Sequence, residues 1–96
     1  MSTPEGLLTQ RCIRYLKYLQ QCGRHVWYCK IHGHASQRAG VPDLLIILEG
    51  RFSAIELKAP GKKASPLQLH EMGRINAAGA WAQVIDNIED FRRLFD

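Results

Sequence analysis

Gly40-Val41-Pro42-Asp43-Leu44-Leu45-Ile46-Ile47-Leu48-Glu49-Gly50-Arg51-Phe52-Ser53-Ala54-Ile55-Glu56-Leu57-Lys58 is the stretch that decides the architecture. Two apolar runs, Leu44 to Leu48 and Phe52 to Lys58, flank a Gly-containing turn around Glu49-Gly50-Arg51, the pattern of a β-hairpin. With Glu49-Gly50 as the loop, Leu48 pairs with Arg51, and counting outward sets Ala54 opposite Leu45 and Glu56 opposite Asp43. A symmetric four-residue loop gives the same register. Directly opposed residues share a face, with Cβ atoms roughly 4.5–5.5 Å apart. Two carboxylates so placed repel each other unless one is protonated or a cation lies between them. Period two also carries Lys58 to the face of Glu56, about 6.6 Å further along, while Ile55 and Leu57 point the other way into apolar surroundings.

An isolated acid followed by Glu-x-Lys is commonly a solvated surface hairpin with a salt-bridging lysine. Here Leu44 to Leu48 is a continuous apolar run, expected of a strand buried on both faces, so the charges at its mouth read as the lining of a cleft. Pro42 fixes the approach of the chain. The register therefore favours a metal held between Asp43 and Glu56.

Ninety-six residues predict a single domain spanning 1–96, with a real core and short loops. A hydrophobic fraction of 46% with 23% charged residues is ordinary globular composition. No run approaches the ~20 apolar residues of a membrane span, and the N-terminus lacks the basic-then-apolar pattern of a signal peptide. The expected location is the cytoplasm, of a bacterium or a phage-infected cell. Cys12, Cys22 and Cys29 are odd in number and form no evident disulfide framework, in keeping with a reducing compartment. A net charge of +4 and a pI near 9.2 favour a polyanionic partner, though charge alone is weak evidence.

Outward from the hairpin, residues 4 to 22 read as a helix with Leu8, Cys12, Tyr15, Leu16 and Leu19 on one stripe, ended by Gly23. Residues 25–30 look like a first strand, followed by a polar loop from His32 to Gly40. Ala59 to Ala64 is a basic loop, Pro66 to Ala78 a second helix, Trp81 to Ile85 a fourth strand and Ile88 to Phe95 a closing helix. The order αβββαβα describes an α/β domain on a small mixed four-stranded sheet flanked by helices. Most of the aromatic residues Trp27, Tyr28, Trp81, Phe91 and Phe95 read as core, although they could also serve a dimer interface.

Two helix starts carry further candidates. Glu5 stands one turn before Leu8 and Cys12, along the buried stripe. It is equally well explained by a Ser2-x-x-Glu5 capping box, or, with Thr3 as N-cap and Pro4 at N1, by the helix dipole. Gln68 closes a Ser65-Pro66-Leu67-Gln68 capping box, yet also aligns with Met72 and Ile75 on the inward face.

Glu5, Gly40-Val41-Pro42-Asp43, Glu56-Leu57-Lys58 and Ser65-x-x-Gln68, in this order and over nearly the whole chain, resemble the virus-type replication-repair nuclease (VRR-NUC) family. That family has the PD-(D/E)XK restriction-endonuclease-like fold, and the chain looks like a stand-alone phage or bacterial type. The resemblance implies a core of that fold and hydrolysis of DNA phosphodiesters, with Mg²⁺ or Mn²⁺ held by Asp43, Glu56 and the Leu57 carbonyl, and Glu5 completing the acidic cluster. Lys58 would orient or help deprotonate a water, or stabilise the transition state. Gln68 would position the water, Lys58 or a phosphate oxygen. Lys30, Arg38, Lys62 and Lys63 lie on segments expected around the cleft and could grip flanking phosphates of branched or duplex DNA. Stand-alone members look like junction-resolving enzymes. One site cuts one strand, so cutting both strands of a duplex or of a four-way (Holliday) junction favours a homodimer.

Two other readings compete. Cys22, His25, Cys29, His32 and His34 fall close together, and Cys22-x₂-His25 with Cys29-x₂-His32 offers a weak analogue of a structural zinc site. The alternative is a non-catalytic nucleic-acid-binding module, against which the acidic set itself argues, since carboxylates facing phosphates do not help a binder.

Overall fold

The computed structural model describes residues 3–32 and 38–96, and the elements follow the expected order. They are α1 (Pro4–Gln21), β1 (Val26–Lys30), β2 (Leu44–Leu48), β3 (Arg51–Leu57), α2 (Pro66–Ala77), β4 (Trp81–Ile85) and α3 (Ile88–Arg93). The strands form one mixed sheet in the order β1-β2-β3-β4, antiparallel except for β3 and β4, which run parallel with α2 as their crossover.

The hairpin turn sets the register of everything else. Glu49 and Gly50 both have positive φ, 49° and 87°, as a two-residue turn matched to strand twist requires. Leu48 therefore pairs with Arg51, Leu45 with Ala54 and Leu44 with Ile55, which leaves Asp43 and Glu56 as the next opposed positions. Period two then separates two cores. Leu44, Ile46, Ile55, Leu57 and Ile85 meet Leu8, Cys12, Leu16 and Leu19 of α1 and Phe91 and Phe95 on one face. Ala54 and Ala82 meet Met72 of α2 on the other, with Leu45 and Val84 beside them. The sheet is thus sandwiched between α1 with α3 and α2 alone.

That asymmetry corrects one expectation. β2 is not buried on both faces: Leu44 and Ile46 are fully buried against α1, but Ile47 on the α2 face is 39% exposed. The cause is that a single helix of 12 residues packs over the β3–β4 side of that face, where Leu45 joins its core, and leaves Trp27, Ile47 and Phe52 uncovered. Trp27, Ile47 and Phe52, successive partners across β1, β2 and β3, form an exposed apolar row there. Phe91 and Phe95 are core, Tyr28 is half-buried, and Trp27 and Trp81 are each 53% exposed.

Helix starts follow the capping chemistry. The Thr3 hydroxyl accepts from the Gly6 amide at 3.0 Å, with Pro4 opening α1, so Thr3 is the N-cap. Ser2, the other candidate, lies outside the described residues. No helix among the described residues is long and apolar enough to cross a membrane.

Candidate active site

Asp43 is pinned from both neighbouring strands. Its backbone carbonyl accepts from the Ile31 amide at 2.7 Å, and its side-chain Oδ2 accepts from the Leu57 amide at 2.9 Å. The carboxylate thereby substitutes for a ladder partner where the β2–β3 pairing ends. Leu57 has its side chain fully buried among the α1-side core, so it contributes backbone alone to this corner.

Glu56, on the α2 face, is 2% exposed. Its Oε2 accepts from Gln68 Nε2 at 3.0 Å and lies 3.6 Å from Lys58 Nζ, whereas Oε1 is buried without any hydrogen-bond partner. Burial first, and then the adjacent Asp43 carboxylate, push the Glu56 carboxyl up to about 8, against an opposing pull from the Lys58 ammonium. A buried carboxylate with one orphaned oxygen facing a second carboxylate is a set of hard oxygen donors that fits a divalent cation. Period two delivers Lys58 as expected: its side chain, 17% exposed, shares the face of Glu56.

Gln68 caps α2 and also reaches Glu56. Its Oε1 accepts from the Ser65 amide at 2.8 Å and the Ser65 hydroxyl accepts from the Gln68 amide, completing the capping box that starts α2. With one end of its amide fixed by the backbone, the other end is aimed at Glu56.

The Gly40-Val41-Pro42 approach also has a structural cause. Gly40 has φ +84°, and a Cβ there would meet Leu67 Cγ at 3.0 Å, Leu67 O at 3.1 Å and Glu71 Cγ at 3.1 Å. Glycine thus lets the loop press against α2 on its way to Asp43. On the same helix, the buried Glu71 accepts from Arg38 at 2.6 Å and from Arg74 at 3.4 Å. Glu71 and Arg74 escaped the sequence reading; their i,i+3 spacing was the available signal.

Other expected residues lie elsewhere. Glu5 does not join the carboxylates: it is exposed in the first turn of α1, and no three His, Cys, Asp or Glu side chains gather as a metal-binding group among the described residues. With Thr3 as N-cap, Glu5 falls in the first turn, before Leu8, the first buried residue of the stripe. Lys30 pairs with Leu44 and so shares its α1-side face, opposite Glu56, with Nζ donating to the Ile31 carbonyl at 2.8 Å. Arg38 stands beside α2 but is ion-paired. Lys62 and Lys63 are exposed in the loop tethered at one end by Lys58 and at the other by Gln68. Of the zinc candidates, Cys22 is exposed after α1, Cys29 lies within β1, both are free thiols, and His34 is outside the described residues.

No family-level sequence profile matches the chain. A relative, the provisionally named nuclease p44 of Acyrthosiphon pisum secondary endosymbiont phage 1, is 45% identical over 51 residues, 52% of this chain and 55% of that protein. The chain thus matches about half the length of this curated relative. A solved VRR_NUC domain superposes with a TM-score of 0.80 at 27% identity, over 98% of this chain and 96% of the other. Agreement of topology over nearly the full length of both chains, joined to the phage relative, supports a VRR-NUC family assignment for this chain.

Proposed function

We propose that the protein is a divalent-cation-dependent deoxyribonuclease acting at Asp43 and Glu56. The observation that carries this reading is the buried Glu56, with an orphaned Oε1 and a raised pKa, next to Asp43 and Lys58. Asp43, Glu56 and the Leu57 carbonyl would hold Mg²⁺ or Mn²⁺, an ion that supplies neutralisation of charge on the scissile phosphate and a more acidic attacking water.

The protein's own groups account for the rest. The hydrogen bond from the Leu57 amide fixes the Asp43 carboxylate against the β3 backbone, and Gln68 holds the orientation of Glu56, so both acids are preorganised before substrate arrives. Gln68 acts as a positioning residue. The Lys58 ammonium compensates the paired acids and is poised to orient a water or to stabilise charge developing on the phosphate. Lys62, Lys63 and the Arg38–Glu71–Arg74 group would contact flanking phosphates without sequence preference.

Action on both strands of branched DNA requires paired sites, which a two-fold homodimer would supply. The exposed row of Trp27, Ile47 and Phe52 supports an assembled form, since such apolar patches mark interaction sites. The phage relative and the absence of any membrane-crossing helix among the described residues fit action in the cytoplasm of a bacterial or phage-infected cell.

The test is incubation of the purified protein with labelled four-way junction, flap, duplex and single-stranded DNA in Mg²⁺, Mn²⁺ or EDTA. Cation-dependent cutting with paired symmetric nicks in the junction is expected. Cutting that persists in EDTA overturns the cation-dependent mechanism, and single unpaired nicks overturn the dimeric junction-resolving reading.

A further inference from the structure

On the far side of the sheet from Glu56, α1 and α3 border an open groove of about 470 Å³ lined by Arg11, Arg14, Tyr15, Tyr18, Ile88 and Arg92. The α1 residues fall at i, i+3, i+4 and i+7, so they form a continuous stripe beside the buried one of Leu8, Cys12, Leu16 and Leu19. All three arginines are exposed, and none makes an ion pair among the described residues. By contrast, Arg24, Arg38, Arg74 and Arg93 each have a carboxylate partner. The Arg92 guanidinium lies 5.2 Å from the centroid of Tyr15, and the rings of Tyr15 and Tyr18 stack at 6.1 Å with 29° between their planes. Tyr18 is 55% exposed, so the stack has an open end.

Three uncompensated guanidiniums around a stacked aromatic pair match a strand of nucleic acid. Arginine forks engage phosphate oxygens, and an open ring accepts an unstacked base. An acidic protein segment would satisfy the charges but would gain little from the aromatic platform. Because α1 and α3 cover the face opposite the carboxylates, a phosphate in this groove is not the one at Asp43 and Glu56. We propose that the α1–α3 groove is a second nucleic-acid site that binds a single strand, with Arg11, Arg14 and Arg92 on phosphates and Tyr18 under a base. Binding there is independent of hydrolysis, so the site stands or falls separately from the nuclease reading.

The test is fluorescence anisotropy of a labelled oligothymidine in EDTA, where cation-dependent cutting is blocked, across a salt series. Arg11→Gln/Arg14→Gln should weaken binding about tenfold or more and reduce the slope of log K against log salt by about 1.4, the single-strand value for two lost phosphate contacts. Tyr18→Ala should weaken binding by at least about fivefold, with Tyr18→Phe remaining near wild type, because stacking needs the ring and not the hydroxyl. Arg93→Gln, which removes one positive charge at an exposed α3 position outside the groove lining, serves as a control and should have a small effect. An unchanged salt slope in the double variant, or an equal loss in Arg93→Gln, overturns the proposal. So does displacement of the oligonucleotide by polyglutamate that is insensitive to Tyr18→Ala, which would reassign the groove to an acidic protein partner.

Discussion

Glu56→Gln should stabilise the cation-free protein at alkaline pH and leave its stability unchanged in acid. The Glu56 carboxyl titrates near its ordinary 4.5 in the unfolded chain and at about 8 in the folded one. Between these values the folded state keeps a proton that the unfolded state has released, so stability falls as pH rises through this window and levels off beyond it. The contribution is fully present below about 4.5 and is gone above about 8. At about 1.4 kcal/mol per pKa unit, the span is worth at most about 5 kcal/mol, reduced in practice by relaxation and water penetration to a few. Glutamine is neutral throughout and removes the repulsion with Asp43. The assay is urea unfolding by far-UV circular dichroism in EDTA for both proteins at pH 4.5, 7 and 9, where their difference cancels the titration of groups that do not interact with Glu56. The expected gap is near zero at pH 4.5 and grows to roughly 2–5 kcal/mol in favour of the variant at pH 9. Adding Mn²⁺ at pH 9 should narrow the gap by stabilising the wild type alone. Parallel pH dependence in the two proteins would refute the claim that burial and Asp43 hold Glu56 protonated.

Other substitutions probe the supports of the site. Asp43→Asn retains an oxygen to accept the Leu57 amide, so unfolding in EDTA should shift by less than about 1 kcal/mol while cation-dependent cleavage is lost. Gln68→Ala removes the acceptor for the Ser65 amide and the donor to Glu56, and should cost about 1–2 kcal/mol by thermal melting together with a cleavage rate lowered at least about tenfold. Gly40→Ala strains a positive-φ residue and crowds Leu67, which should destabilise by more than about 1 kcal/mol and reduce cleavage by shifting Asp43 relative to α2, measured by urea melts and nicking assays. Lys62→Ala/Lys63→Ala should weaken DNA binding similarly across sequences, with a shallower salt dependence; unaltered affinity in Ca²⁺ would remove both lysines from the interface.

The hairpin was readable because its information is local: a positive-φ Glu49-Gly50 turn fixes the register, and period two then assigns Glu56 and Lys58 to one face and Ile55 and Leu57 to the other. Gln68 was readable for the same reason, since a capping box constrains one end of its amide within four residues. What failed was long-range. The exposure of Ile47 depends on how far α2 extends over the sheet, and nothing in the Leu44 to Leu48 run encodes that. Lys30 looked like a cleft residue from its place at a strand end, but its face is set by pairing with Leu44, fourteen positions on in the sequence, a non-local parity. Glu5 lies on the buried stripe by periodicity, yet burial begins only at Leu8. Asp43 was found as an acid at a strand mouth, whereas its anchoring by Ile31 and Leu57 amides required the folded backbone.

The most direct test of the central claim is hydrolysis of labelled DNA by wild type, Asp43→Asn and Glu56→Gln in Mg²⁺, with binding to the same DNA followed in Ca²⁺. Cutting by the wild type alone and near-equal binding by all three are expected. Cutting at wild-type rate by either variant would contradict the assignment of these two carboxylates as the catalytic centre.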